Sequence, residues 1–262
     1  MLNKLTDTQK ALVFSILVLL AGFLAATSHN KLLIDYYQLT PTLITLFMML
    51  LLTKEGYRKV GWSNLKLHRF GFRYWIPAFV IPIVVLALAY KTAWTVSSDS
   101  FNVSAFPSDW VIIITNFLST VGLNIIFYSL GEEIGWRGYL LSKLLPLGKV
   151  KAYLWIALVW AFWHYPYFYL TGFYQPPGNP VVMMTLFTLV LIPMSIILGK
   201  LRLRSNSLWP ASIFHSSNNA IWEILNNFSI SSSPAILLLA GNRGIIPILL
   251  YSVVATILLR KK

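Results

Sequence analysis

Charged residues divide this chain into long uncharged runs, and that spacing restricts the fold more than any other feature. Runs free of Asp, Glu, Lys and Arg cover 11–30, 36–53, 74–90, 110–131, 152–199, 205–222 and 244–259. A helix needs about 20 apolar residues to cross the hydrocarbon core of a bilayer. The run 152–199 is too long for one crossing. Gly172-Phe173-Tyr174-Gln175-Pro176-Pro177-Gly178-Asn179-Pro180 interrupts it, because Pro and Gly at that density favour a turn. The pattern predicts an all-α polytopic membrane protein, a single membrane-embedded domain over 1–262. About eight transmembrane helices are expected, near 11–28, 37–53, 73–92, 109–131, 152–170, 181–199, 207–225 and 244–260. Composition agrees: 57% of residues are hydrophobic and 11% charged, where soluble domains carry roughly 25% charged residues.

Orientation follows from lysine and arginine. With the N-terminus inside, all but three of the 21 Lys and Arg residues fall on the inner side, the exceptions being Lys31, Lys91 and Arg243. This bias predicts that both termini are cytoplasmic. The net charge of +13 is then a topology device, and no soluble basic face remains to bind nucleic acid. Lys4 and Lys10 before an apolar segment resemble the start of a signal peptide, but the alternation needs that segment as its first span. Gly138–Val150, short and leucine-rich, is expected to lie in the membrane interface. Trp75, Trp94, Trp110 and Trp209 fall near expected span ends, as an aromatic belt would. The chain has no cysteine, which excludes disulfides, thiolate catalysis and cysteine-bound zinc.

Ionisable side chains inside membrane spans mark functional sites by default, because lipid makes them costly. Three clusters qualify. Glu132-Glu133-Ile134-Gly135-Trp136-Arg137 ends one expected span. Positions i and i+4 share a helix face, so Glu133 and Arg137 are placed to pair while Glu132 points about 100° away. His164 lies within the span 152–170, with Trp160 one turn before it on the same face. His215 lies within 207–225, with Asn219 one turn later. The other two histidines, His29 and His68, fall in loops or at a span edge. Each cluster has a plainer reading, respectively a solvated helix end, a packing histidine and an interhelical hydrogen bond. Their conjunction favours a site. From the inner ends of their spans, His215 lies ~12 Å deep and His164 ~18 Å deep. Glu132 stands at the inner end of its own span, so the three are expected to meet in a cavity opening to the cytoplasmic side.

Two carboxylates, two imidazoles and an amide suit hydrolysis. A carboxylate and a histidine can share activation of one water, and histidine and asparagine can donate hydrogen bonds to an oxyanion. The H-E-x-x-H zinc motif is absent, and no serine has an evident activating partner. A proton-coupled transporter using Glu132, His164 and His215 as a relay is an alternative, although the inverted repeats expected of one are not evident.

Glu132-Glu133-x-x-x-Arg137, Trp160-x-x-x-His164 and His215-x-x-x-Asn219, in this order, resemble the three-motif signature of the CPBP family of CAAX-protease and bacteriocin-processing (Abi) membrane proteins. The resemblance covers about 125–225. It implies an intramembrane endopeptidase acting on a membrane-associated peptide or protein, in CAAX-type tail processing, bacteriocin processing or self-immunity. In it Glu132 and His164 activate the water, His215 and Asn219 stabilise the oxyanion, and Glu133, Arg137 and Trp160 support them. It leaves the mechanism open between a metal-free glutamate protease and a metalloprotease with Glu132, His164 and His215 as zinc ligands. A non-proteolytic scaffold or immunity protein of the same fold is the nearest alternative. The compact length without a soluble domain fits a prokaryotic cell-membrane member.

Overall fold

The computed structural model describes residues 4–105, 110–171 and 178–260. Most of the interrupting turn, residues 172–177, lies outside them. Among the described residues the fold is all-helical, with no named strand and one isolated antiparallel bridge, Phe101 to Ser229. A helix stands at each expected span. These principal helices are α1 (Asp7–Thr27), α2 (Tyr37–Leu52), α3 (Phe72–Val96), α4 (Val111–Leu147), α5 (Lys149–Leu170), α6 (Pro180–Ser205), α7 (Trp209–Asn227) and α8 (Ile245–Arg260). By length and apolarity, α1, α3, α4 and α6 qualify as membrane-crossing, while α2 and α8 are shorter apolar helices. The motif helices α5 and α7 do not qualify. The inward face of α7 carries polar side chains: Ser212, His215, Ser216, Ser217 and Asn218 are all buried.

Local signals delimit the helices. A capping box, Thr6 with Gln9, starts α1. Asn179 accepts hydrogen bonds from the first turn of α6, Pro180 occupies its first position, and Asn206 in the left-handed region ends it. Large apolar side chains such as Leu20, Leu24, Ile112, Leu118 and Val253 stay exposed. A soluble surface would not tolerate so much apolar area, whereas lipid favours it. Side-chain interiors such as Phe14, Trp136, Tyr153, Trp163 and Phe214 are buried within the bundle.

Helix α4 departs from expectation. It runs 37 residues, or ~55 Å, without stopping at residue 131. Its first half faces outward, with Val111 and Leu118 more than half exposed, but Trp136, Arg137, Tyr139, Leu140, Leu141 and Leu144 are buried. Most of Gly138–Leu144 is therefore covered by the bundle. Its apolar side chains pack into the bundle, with the Tyr139 ring 5.3 Å from that of Phe14. Arg137, counted above with the inner loops, is also inside.

Hydrogen bonds tie the loops into two ends. At the lysine-rich end, Lys10 Nζ lies 2.8 Å and Lys143 Nζ 2.6 Å from Glu55 Oε1, and Lys143 also reaches Asp7 at 3.1 Å. The Trp209 indole donates to the Leu67 carbonyl at 2.9 Å there. At the other end, Trp94 donates to Ser229 Oγ at 3.0 Å and the Asn102 amide to the Phe228 carbonyl at 2.9 Å. The Trp110 side chain lies outside the described residues.

Burial alone would raise the pKa of Glu55, but hydrogen bonds and charge from Lys10 and Lys143 hold it below the ordinary carboxylate value. A carboxylate depressed in the folded state contributes stability that is present above its unfolded pKa and lost as pH falls through the folded one. Glu55→Gln should cost about 1.5–3 kcal/mol at neutral pH, read as a lower unfolding temperature in detergent. The gap to the parent protein should close on acidification below the carboxylate range. A pH-independent difference would assign the loss to packing.

Candidate active site

Helix α4 is not uniformly wound. Residues Asn124–Tyr128 and Ile134–Leu140 are π-helical, and such bulges are frequent at functional sites. They flank Glu132 and Glu133. Gly131 and Gly135 lie one turn apart on the face that meets the start of α2. A Cβ at Gly135 would stand 2.4 Å from Pro41 Cβ, and one at Gly131 would stand 2.6 Å from Leu39 Cδ2. Small residues at this spacing let helix backbones approach closely in membranes. The Thr42 hydroxyl takes advantage by donating to the Gly131 carbonyl at 2.5 Å.

The two carboxylates have separate partners. Arg137 Nη1 donates to Glu133 Oε1 at 2.8 Å, with both side chains wholly buried. His215 Nδ1 lies 3.1 Å from the same oxygen. Glu132 Oε2 instead accepts from the indoles of Trp160 at 2.7 Å and Trp136 at 3.3 Å. Trp160 is the common neighbour. The Arg137 guanidinium lies 4.4 Å from its ring centroid, the His215 ring 5.1 Å and the His164 ring 6.0 Å.

His164 Nδ1 lies 2.8 Å from the Trp160 carbonyl. A carbonyl only accepts, so Nδ1 carries the hydrogen and Nε2 keeps the lone pair. Rings of Trp163, Phe187 and Phe168 surround this imidazole at 4.7, 5.0 and 5.4 Å.

Glu132, Trp160, His164, His215 and Asn219 all line one cavity of about 390 Å³. Glu133 and Arg137 lie behind its wall. The sequence reading missed several other lining groups. Asn124 lies eight residues before Glu132, which is close to two helical turns, so face periodicity was the available signal. Tyr37, whose hydroxyl donates to the Trp163 carbonyl, and Asn242 and Arg243 come from segments that gave none. Asn218, adjacent to the motif residue, accepts from the Tyr251 hydroxyl at 2.8 Å and donates to Asn242 at 3.1 Å.

One expectation needs correction. Glu132 is not at a helix end but eleven residues, ~16 Å along the axis, from Lys143 and the lysine-rich end. The cavity lining does not reach that end. It extends from Glu132 towards Tyr167, Glu223 and Arg243, at the opposite ends of α5 and α7. Among the described residues no group of three or more His, Asp or Glu side chains is gathered as a ready-made metal site.

A helical bundle enclosing two carboxylates, two imidazoles and an amide around one cavity has the equipment of a membrane-embedded hydrolase. Residues 114–221 match the family described as "Type II CAAX prenyl endopeptidase Rce1-like", and this is the CPBP family that the three motifs resemble. The match supports an intramembrane endopeptidase at the level of the family. No curated protein matches the chain.

Gly135→Ala should lower stability by about 1–3 kcal/mol, the usual cost of overpacking, read by thermal unfolding in detergent. Trp160→Phe keeps the ring but removes the donor to Glu132. A hydrogen bond to a charged group contributes about 1.5–3 kcal/mol, so any turnover should fall ~10- to 100-fold with KM little changed. A rise in KM alone would make Trp160 a binding wall.

Proposed function

We propose that this protein is an endopeptidase that hydrolyses a peptide bond of a membrane-associated peptide or protein without a metal. The observation that carries the reading is the meeting of Glu132, His164, His215 and Asn219 from three helices on one cavity. Both indoles engage Glu132 Oε2, so Oε1 is the oxygen available to a water. With Nδ1 donating to the Trp160 carbonyl, His164 presents Nε2 as a second acceptor. Together they orient the water and take its proton. The hydroxide adds to the peptide carbonyl carbon, the C–N bond breaks, and the proton passes from Glu132 to the leaving amine.

Opposite these acceptors, His215 and Asn219 serve as the oxyanion donors. Glu133 holds His215 at Nδ1, which leaves Nε2–H to donate when the ring is protonated. The description of the matched family points to prenylated CAAX tails as one substrate class, and processing of bacteriocin-like peptides is another.

Glu132→Gln and His164→Ala should abolish cleavage by purified protein that still folds. Asn219→Ala should retain turnover reduced ~10²–10³-fold, the cost of one oxyanion donor. Chelator should leave the parent rate unchanged. Loss on chelation with rescue by zinc, and equal severity of His164→Ala and His215→Ala, would replace this mechanism with a metal-dependent one. Equal, mild losses in all variants would favour the non-proteolytic scaffold.

A further inference from the structure

We infer that the cavity admits its substrate from the non-cytoplasmic face of the membrane, so the segment cleaved is one presented on that face by an exported or outer-leaflet-anchored peptide. The inference rests on the endopeptidase reading for the word substrate, and on the lysine and arginine bias for the naming of the two sides. The geometry itself rests on neither.

The cavity lining runs from the middle of the bundle, at Glu132, Met194 and His215, to the end remote from the lysine-rich one. Helix α5 supplies Trp160 to Phe168, in the second half of a helix that starts at Lys149. Helix α6 supplies Phe187, Val190 and Leu191 from the half nearer Pro180 and Met194 just past its middle, and α7 supplies His215 to Glu223 on the way to its end at Asn227. Tyr37 opens α2, and Asn242 and Arg243 precede α8. These entries and exits share the end at which Trp94 meets Ser229 and Asn102 meets Phe228.

The way to the lysine-rich end is closed. Between Glu132 and Lys143 stand Glu133, Trp136, Arg137 and Leu140, all without solvent exposure, and Ser212 closes the facing turn of α7. At the other end Glu223 is exposed and Asn242 and Arg243 are partly so. The lysine-rich end is cytoplasmic by the positive-inside rule, which puts the open rim on the opposite face. The rim is polar and the walls are aromatic, with the Arg243 guanidinium 4.8 Å from the Phe168 ring and 5.7 Å from that of Phe187. That lining suits an extended segment with apolar side chains inside and polar groups at the surface.

The chain has no cysteine, so single cysteines can report access directly. Lys59→Cys marks the lysine-rich end, Asn102→Cys the opposite end, and Asn219→Cys and Leu191→Cys the cavity. Cells expressing each variant are treated with a membrane-impermeant maleimide, intact and after permeabilisation, with labelling in detergent as the total. Asn102→Cys and at least one cavity cysteine should label in intact cells, and Lys59→Cys only after permeabilisation. Cavity labelling that follows Lys59→Cys, or that occurs from neither side, overturns the proposal. Intact-cell labelling of Lys59→Cys with none at Asn102→Cys overturns it through the orientation. The readout needs no turnover, so repeating it in a Glu132→Gln background separates failure of access from failure of the endopeptidase reading.

Discussion

The structure depends on one buried charge arrangement. Glu133 and Arg137 pair at 2.8 Å with no solvent exposure, in a chain whose surroundings are lipid and apolar side chains. Such a pair is costly to desolvate and far costlier to break, because the survivor is an uncompensated charge. The surroundings are built to avoid that state. His215 reaches the oxygen of Glu133 that Arg137 binds, and the Trp160 face lies under the guanidinium. Trp160 in turn donates its indole hydrogen to Glu132. A charge on one helix is thus tied to residues of two others, and the same contacts that offset burial position the candidate chemistry.

Backbone geometry makes the arrangement possible. An unbroken α-helix would stack Glu132, Glu133 and Arg137 on a regular surface with all carbonyls satisfied internally. The π-helical stretch after Glu133 and the two glycines flanking the pair let α2 approach until Pro41 touches Gly135 and Thr42 caps the carbonyl of Gly131. Close approach of α2 also brings Tyr37 to the cavity and to the Trp163 carbonyl. The motif is therefore a packing device as much as a set of reactive groups.

The same economy explains why α7, which carries the last motif, does not look like a membrane span. Helix α7 places serines, a histidine and asparagines on the side that the bundle covers, so polar groups find partners such as the Ile125 and Val121 carbonyls for Ser212 and Ser216. Apolar side chains concentrate instead on α1, α3 and the first half of α4. A protein that keeps chemistry in a bilayer must surround its polar helices with apolar ones.

Much of this was legible in the chain alone. Helix positions followed from uncharged runs and breakers, since lipid imposes length and apolarity locally. The pairing of Glu133 with Arg137 followed from helical spacing, and so did the pairing of Trp160 with His164 on one face. What spacing could not reveal was anything that requires knowing which helix lies beside which. The continuation of α4 past Glu132 was hidden because charged residues read as a span end unless their partners are known. The bond from His215 to Glu133, the indole donors to Glu132 and the contribution of Asn242 and Arg243 join segments far apart in sequence. The end of the bundle towards which the cavity lining runs was hidden for the same reason. Depth along each helix is a local quantity, but which end is plugged depends on the side chains that several helices bring together, and tertiary packing alone decided that.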